Sequence, residues 1–492
     1  MRDQSREIDR FIERVRDHWQ VPGVAIAVVN EGVPIYVQAY GVASLADGTS
    51  ADIHTAFPIG SCSKAFTGFI AAVLVDNGVI EWDDPLRKFL PTLTLHDPWV
   101  AEHITIRDAL ANPTGLSRAS LAEYGSDLSL HEVIEHAREI QLTCEFRDRF
   151  SYCNVGFVAA AEALFAAAGM PFAALLRDRL FAPCGFRDAN LPHTLGEAAA
   201  NIAAPHYQAD IGIIEVPAMP LANLTGASGQ TLSAHNAAVW LTHQLGCAAQ
   251  GGAVVSQAAL EETHSLQVPR CDRGLYDGYA LGWDVRSRPG EYLLHHEEEG
   301  RGFRTDIWLD PQHRRGAFVA INLGIGLSHA AIAGFLRQLL RGQVRTDIIA
   351  EVDDYRTRAF AARRAEFDRE RSEEPISGSH FSLDDFCGTY RHKGFGSLHI
   401  ARETDHLTFQ IENLSNFDGP LMRYSSLGFE YQGDRDALAW PPLAIPHPPT
   451  GDLFRVRFRA DKHRIKSLDW SAWFGRACFQ RIAGSLTSPV PR

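Results

Sequence analysis

The chain has 492 residues, 45% hydrophobic and 22% charged, which excludes a largely disordered polymer and calls for two or three packed domains. A net charge of −13 and an isoelectric point near 5.9 argue against nucleic acid or an anionic membrane as principal partner. They leave a neutral or cationic small molecule or short peptide as the expected substrate, and a homo-oligomer open. The first residues, MRDQSREIDRFIERVRDHW, lack the apolar core of a signal peptide, and no apolar run approaches the roughly 18 residues of a bilayer span, so the expected location is cytoplasmic.

In chain order, a charged amphipathic helix is expected over about residues 5–19. VPGVAIAVV and VPIYVQAYGVAS then read as strands joined by a hairpin at Asn30-Glu31-Gly32, with glycine supplying positive φ. After Ser61 an apolar helix runs through FTGFIAAVLVDNG and closes at Gly78. Helical patterns follow in ITIRDALAN, LSLHEVIEHAREI, VGFVAAAEALFAAAG and AHNAAVWLTHQL. Strand patterns return in YALGWDV, in LLHH ending at His295-His296, in TDIWLD and in GAFVAIN, before a helix in SHAAIAGFLRQLLRG. Early strands, a helical middle and late strands predict an α/β sandwich whose antiparallel sheet is assembled from both ends of the segment 1–345. Residues 346–377 are dense in alternating charge and read as a solvated helical linker. From 378 to 492 short alternating runs predict a small antiparallel β-barrel.

Eight cysteines occur without CxxC spacing and are expected as free thiols. HEVIEH spaces His131 and His136 five apart, where a helical zinc pair needs four, so neither a metal nor a cofactor is expected.

The stretch FPIGSCSKAF concentrates reactive groups at a helix start. Ser61 and Lys64 lie at i and i+3, on one helical face, where a lysine of lowered pKa takes the serine proton and makes the oxygen a nucleophile. The plain alternative is an N-cap serine beside a surface lysine. Tyr152 and Asn154, in FSYCNVGF, offer a proton-relaying phenol and a positioning amide ahead of another helix. In LLHHEEEGRGF a strand edge near His296 offers a backbone N–H to an oxyanion; the alternative is a solvated acidic turn with two ordinary histidines.

Together these segments resemble the SxxK serine hydrolases related to class C β-lactamases, penicillin-binding proteins and D-aminopeptidases. The likeness spans about residues 15–345 and includes VPGVAIAVV, FPIGSCSKAFTG, ITIRDALANPTGL, FSYCNVGF, LFAPCGFRDANL and YALGWDV. The resemblance implies that Ser61 is the nucleophile, with Lys64 and Tyr152 as base and relay. It makes Asn154 a substrate-positioning amide and His296 the start of the third motif, while Cys62 is a bystander. Where the family carries Lys-Thr-Gly or His-x-Gly, counting back from Phe303 gives His296-Glu297-Glu298, so a glutamate stands in a glycine's place. Without the family's lysine a β-lactamase activity loses support, and Glu297, Glu298 and Glu299 favour a cationic group such as a free amine. Glu299 is the direct carry-over for the second oxyanion N–H. FSLDDFCGTYRHKGFGSLHI resembles the lipocalin-like barrels that follow this domain in some members. The expected activity is hydrolysis of an amide or ester, plausibly of a peptide with a D-residue. An acyltransferase or peptide cyclase, a non-catalytic binding protein and a β-lactamase are the alternatives.

Overall fold

The structure is a computed structural model that describes residues 2–116, 128–187, 201–209, 212–218, 221–247, 253–270, 277–300, 302–324, 326–343, 347–373, 381–412, 418–423, 427–431, 455–461, 464–472 and 475–482. Helix α1, Arg2–Trp19, buries Ile8, Phe11, Ile12 and Val15, the i, i+3, i+4, i+7 stripe of an amphipathic helix. That stripe packs against helix α7, Ser328–Leu340, where Phe11 stacks on Phe335 with ring centroids 4.0 Å apart.

Strands β1 (Gly23–Asn30) and β2 (Val33–Gly41) form the expected hairpin. Its turn is Glu31-Gly32, both at positive φ (53° and 78°), while Asn30 remains a strand residue paired with Val33. The remaining strands of this sheet are β3 (Val268–Pro269), β4 (Gly278–Tyr279), β5 (Asp284–Arg288), β6 (Glu291–Gly300), β7 (Phe303–Asp310) and β8 (Arg315–Ile321). Their order is β2-β1-β8-β7-β6-β5-β4-β3, antiparallel throughout. β1 pairs with β8 from Val24↔Ile321 to Val29↔Gly316, so the sheet is assembled from both ends of its sequence segment. Each face needs cover: α1 and α7 supply it on one side, and the larger apolar cluster around Phe66, Phe69 and Trp240 on the other.

Two strand readings need correction. YALGWDV is two short strands, because Gly282 (φ +97°) turns the chain between them against the backbone of Lys64; a Cβ there would lie 2.6 Å from the Lys64 carbonyl oxygen. The strand that was expected to end at His296 continues to Gly300, since β7 pairs with it through Glu297↔Asp306, Glu298↔Thr305 and Glu299↔Arg304. The three glutamates are strand residues, not a turn.

The helical half includes α2 (Lys64–Asp76), α3 (Leu130–Ala137), α4 (Asn154–Ala168), α5 (Ala234–Gln244) and α6 (Gln257–His264). α2 is buried without break from Lys64 to Leu74, so it is a central helix with no polar face. Among the described residues no single helix is long and apolar enough to cross a membrane. After α7 comes the long helix α8, Ile348–Glu373.

The C-terminal strands, from Gly388–His392 to Gly475–Arg481, form one curled antiparallel sheet in sequence order. Its first strand also meets its last, at Tyr390↔Arg481 and Arg391↔Gln480. Inside lie Tyr390, Leu398, Phe458, Leu468 and Trp470, a separate apolar cluster. This unit touches α3 through its first turn: the His136 Nδ1 and the Gly394 carbonyl oxygen are 3.1 Å apart, and Phe395 packs into both clusters.

At the end of α6, His264 is buried, with Nε2 2.9 Å from the Gln244 Oε1 and the Trp283 ring edge-on. Burial pushes its imidazole down to about 3, against about 6.5 in an unfolded chain. Its neutral form therefore contributes fully to stability above pH 6.5, and that contribution is lost as pH falls from 6.5 toward 3, by about 1.4 kcal/mol per pH unit. Denaturant midpoints measured at pH 7, 6 and 5 should fall, and fall less steeply in His264→Gln; parallel slopes in the two proteins would contradict this assignment.

Candidate active site

The site is built where a short strand becomes a helix. Phe57–Pro58 pairs with Thr231–Leu232, and the Ile59 N–H donates to the Gln230 carbonyl at 3.0 Å. Gly60, at φ +46°, then opens a tight 3₁₀ turn over Gly60–Ser63 that runs directly into α2. The reading of a helix starting near Ser61 is thus met by a turn of different pitch, which faces Ser61 toward Lys64 while Ser63 accepts from the Gln230 N–H. Ser61 is 5% exposed.

Lys64 is the hub. Its Nζ donates to the Ser61 Oγ, the Asn154 Oδ1 and the Ala227 carbonyl oxygen, each at 2.9 Å. Three N–H groups meet three acceptors, which is what a buried ammonium requires to offset its lost hydration. The Tyr152 hydroxyl donates to the same Ser61 Oγ at 2.7 Å, and the Lys64 Nζ stands 4.8 Å from the Tyr152 ring centre. Ser61 Oγ therefore faces two groups able to take its proton, once either has given up its own.

Asn112 holds Tyr152 in place. Its left-handed backbone (φ +66°) ends a short helix, its carbonyl accepts from the Ser151 N–H at 2.8 Å, and its side-chain oxygen accepts from the Cys153 N–H at 3.1 Å. Asn154 then begins α4 at 1% exposure.

Strand β6 forms the opposite wall, and alternation along it separates the third-motif residues. His296 is buried on the site's side, but its hydrogen bonds go to the Tyr279 hydroxyl (Nε2, 3.2 Å) and the Glu297 carbonyl (Nδ1, 3.0 Å) rather than to Ser61. Burial, with the Lys64 charge adding to it, drives its imidazole well below the ordinary range. His296 is therefore neutral and cannot supply the cation that a lysine gives at this place. Glu297 turns to the other face, beside His295 and Asp306. Glu298 turns to the site and its Oε2 accepts from the Ser61 N–H at 2.5 Å. Glu299 is a strand residue opposite Arg304.

His295, Glu297 and Asp306 each bring one donor atom within 4.8 Å of the others, the nearest approach to a metal-ligand set among the described residues. Burial opposes charge on His295 and Asp306, yet their contact at 3.0 Å outweighs it, holding Asp306 below the usual carboxylate range and His295 above the usual imidazole range. The cluster reads as a buried ion pair.

Two contributors escaped the sequence reading. The Thr225–Gln230 loop supplies the Ala227 acceptor and, through the Gly226 carbonyl, accepts from Thr67 Oγ1 at 2.7 Å. Tyr279 bonds His296 and meets the Tyr152 ring edge-on at 6.5 Å; burial first, then Tyr152, keeps its phenol protonated. The small residues of TGASGQ and the tyrosine of YALGW were visible, but nothing in one sequence says which loop closes on Lys64.

Cys62 is fully buried with its thiol 3.4 Å from the His296 carbonyl, and burial, reinforced by Glu298, pushes it well above the ordinary thiol range. In the native protein it should resist alkylation by iodoacetamide, and Cys62→Ala should keep the wild-type rate. Native-state labelling of Cys62, or loss of turnover with the fold intact, would return the thiol to consideration.

The Beta-lactamase family model matches residues 8–340. Unguisins hydrolase ungD' of Aspergillus campestris is 26% identical over 325 residues, covering 62% of this chain and 59% of the relative. The D-aminopeptidase of Brucella anthropi is 26% identical over 333 residues, covering 66% of this chain and 60% of the relative, so the chain spans less than two thirds of either relative's length. In fold, the octameric penicillin-binding protein homologue from Pyrococcus abyssi superposes with a TM-score of 0.60 at 18% identity, over 96% of this chain and 99% of that one. With a family match that runs from within α1 to the end of α7 and encloses Ser61, Lys64 and Tyr152, the chain belongs to the beta-lactamase family.

Proposed function

We propose that the protein is a serine hydrolase that cleaves amide bonds of small peptides, including peptides with D-residues, through an acyl-enzyme on Ser61. The observation that carries this reading is the convergence of Lys64 Nζ and Tyr152 OH on one serine oxygen, at 2.9 and 2.7 Å. With one member of the Lys64–Tyr152 pair deprotonated, as the neutral amine or the phenolate, Ser61 Oγ attacks the carbonyl carbon and its proton passes to that group. The tetrahedral oxyanion takes the Ser61 N–H and, by carry-over, that of Glu299. Collapse breaks the C–N bond, and the stored proton goes to the leaving nitrogen. Water then adds to the ester, gives its proton to the same pair, and Ser61 leaves with it, so the cycle balances without a cofactor. The named hydrolase and D-aminopeptidase relatives support hydrolysis and, for the second, a D-residue.

Asn154 spends its side-chain oxygen on Lys64, so we read it as holding the base first and the substrate second. His296 is read as a neutral wall residue that orients Tyr279 beside Tyr152. The proposed division is a hydrolase domain over 1–345, a helical linker over 346–377 and a closed, lipocalin-like barrel over 378–492. The pairing of the barrel's first and last strands supports closure. The octameric relative supports a homo-oligomer.

Intact-protein mass after brief exposure to p-nitrophenyl esters of D- and L-amino acids tests the chemistry. An acyl adduct is expected on wild type and none on Ser61→Ala, while Lys64→Ala and Tyr152→Phe should slow acylation by about 10²-fold or more. An adduct that survives Ser61→Ala would overturn the nucleophile assignment. Release of a new amide when a free amine is added would shift the reading from hydrolysis to acyl transfer.

A further inference from the structure

The Ser61 N–H is already occupied. Its partner is the Glu298 carboxylate, at 2.5 Å, anchored on β6 where Glu298 pairs with Thr305. A single N–H cannot serve this carboxylate and a developing oxyanion at once, so acylation requires Glu298 to move away.

The seat is built for this side chain. Gly60 offers no Cβ, and one placed there would overlap the Glu298 side chain. Thus a glycine on the 3₁₀ turn compensates for the glutamate on the strand, which explains how a carboxylate fits where the family carries glycine. Strand alternation sends Glu297 to the opposite face, so of the two glutamates with described side chains only Glu298 reaches the nucleophile.

We propose that Glu298 is the specificity-determining residue of the Ser61 reaction and selects substrates carrying an ammonium on the carbon next to the scissile carbonyl. In the structure its carboxylate holds the oxyanion donor. When a substrate carbonyl enters, the three rotatable bonds of the glutamate let the carboxylate swing off the Ser61 N–H while its backbone stays in the sheet. An ammonium one carbon from the carbonyl then pairs with the displaced carboxylate, whereas an N-acylated substrate leaves it without a partner. Neutral substrates lose the oxyanion donor to Glu298; cationic ones regain it. The inference rests on the Ser61 acyl-enzyme reading and adds the residue that sets its substrate class.

The test compares each aminoacyl p-nitrophenyl ester with its N-acetyl form, in wild type, Glu298→Gly and Glu298→Gln, by acylation rate and by the mass of the adduct. Wild type is expected to favour the free amine by tenfold or more in kcat/KM. Glu298→Gly should raise the rate on the N-acetyl ester at least tenfold and lower it on the free amine, bringing the ratio near one. Glu298→Gln should lose the preference for the amine. Ser61 adducts in all three proteins with an unchanged ratio, or no preference in wild type, would overturn the role of Glu298 and leave the acyl-enzyme intact. No Ser61 adduct from either ester in wild type would overturn the acyl-enzyme reading and this inference with it.

Discussion

The structure depends on one buried lysine. Lys64 sits at 0% exposure at the start of a helix with no solvent face, and an unpaired charge there would cost several kcal/mol. Its three hydrogen bonds meet that demand, and each comes from a different part of the chain: Ser61 beside it, Asn154 at the head of α4, and the Ala227 carbonyl of a distant loop. Satisfying the lysine therefore also joins the Ser61 turn, a helix N-terminus and the 225–230 loop. Folding and site assembly share this one constraint.

The backbone around this hub is close enough to demand glycine. Gly282 passes over the Lys64 carbonyl and splits what would otherwise be one strand. Gly60 plays the complementary part on the turn, leaving room for a carboxylate beside the Ser61 N–H. A glutamate in place of glycine on β6 is thus accommodated by a glycine on the facing turn, an exchange across the site between residues 238 positions apart.

Electrostatically the pocket is asymmetric. Lys64 is enclosed on the side of Ser61, His296 on the far wall is held neutral by burial and by that same lysine, and Glu298 brings a carboxylate to the Ser61 N–H. Where the resembled motif carries a lysine or a histidine, His296 here brings no positive charge to the wall. The C-terminal sheet has its own apolar interior and meets the helical half through Gly394 and Phe395, so it is a separately packed unit seated on α3.

The sequence by itself put Ser61 and Lys64 on one face and Tyr152 and Asn154 at a helix entrance, since spacing and periodicity encode what is local, while their chemical roles were implied by the family resemblance. It also marked Glu298 as foreign to its motif. Tertiary structure decided what those parts do to one another. It extended β6 through three glutamates, because β7 offered pairing partners that no local propensity reveals. It sent Glu297 and Glu298 to opposite faces, and brought Ala227 to the site from a loop with no signal of its own and Asn112 and Tyr279 from segments whose residues had no assigned role. The physical reason is that a buried charge and an occupied N–H are satisfied by whichever groups come near in space, and proximity across more than a hundred residues is not written in any short stretch of chain.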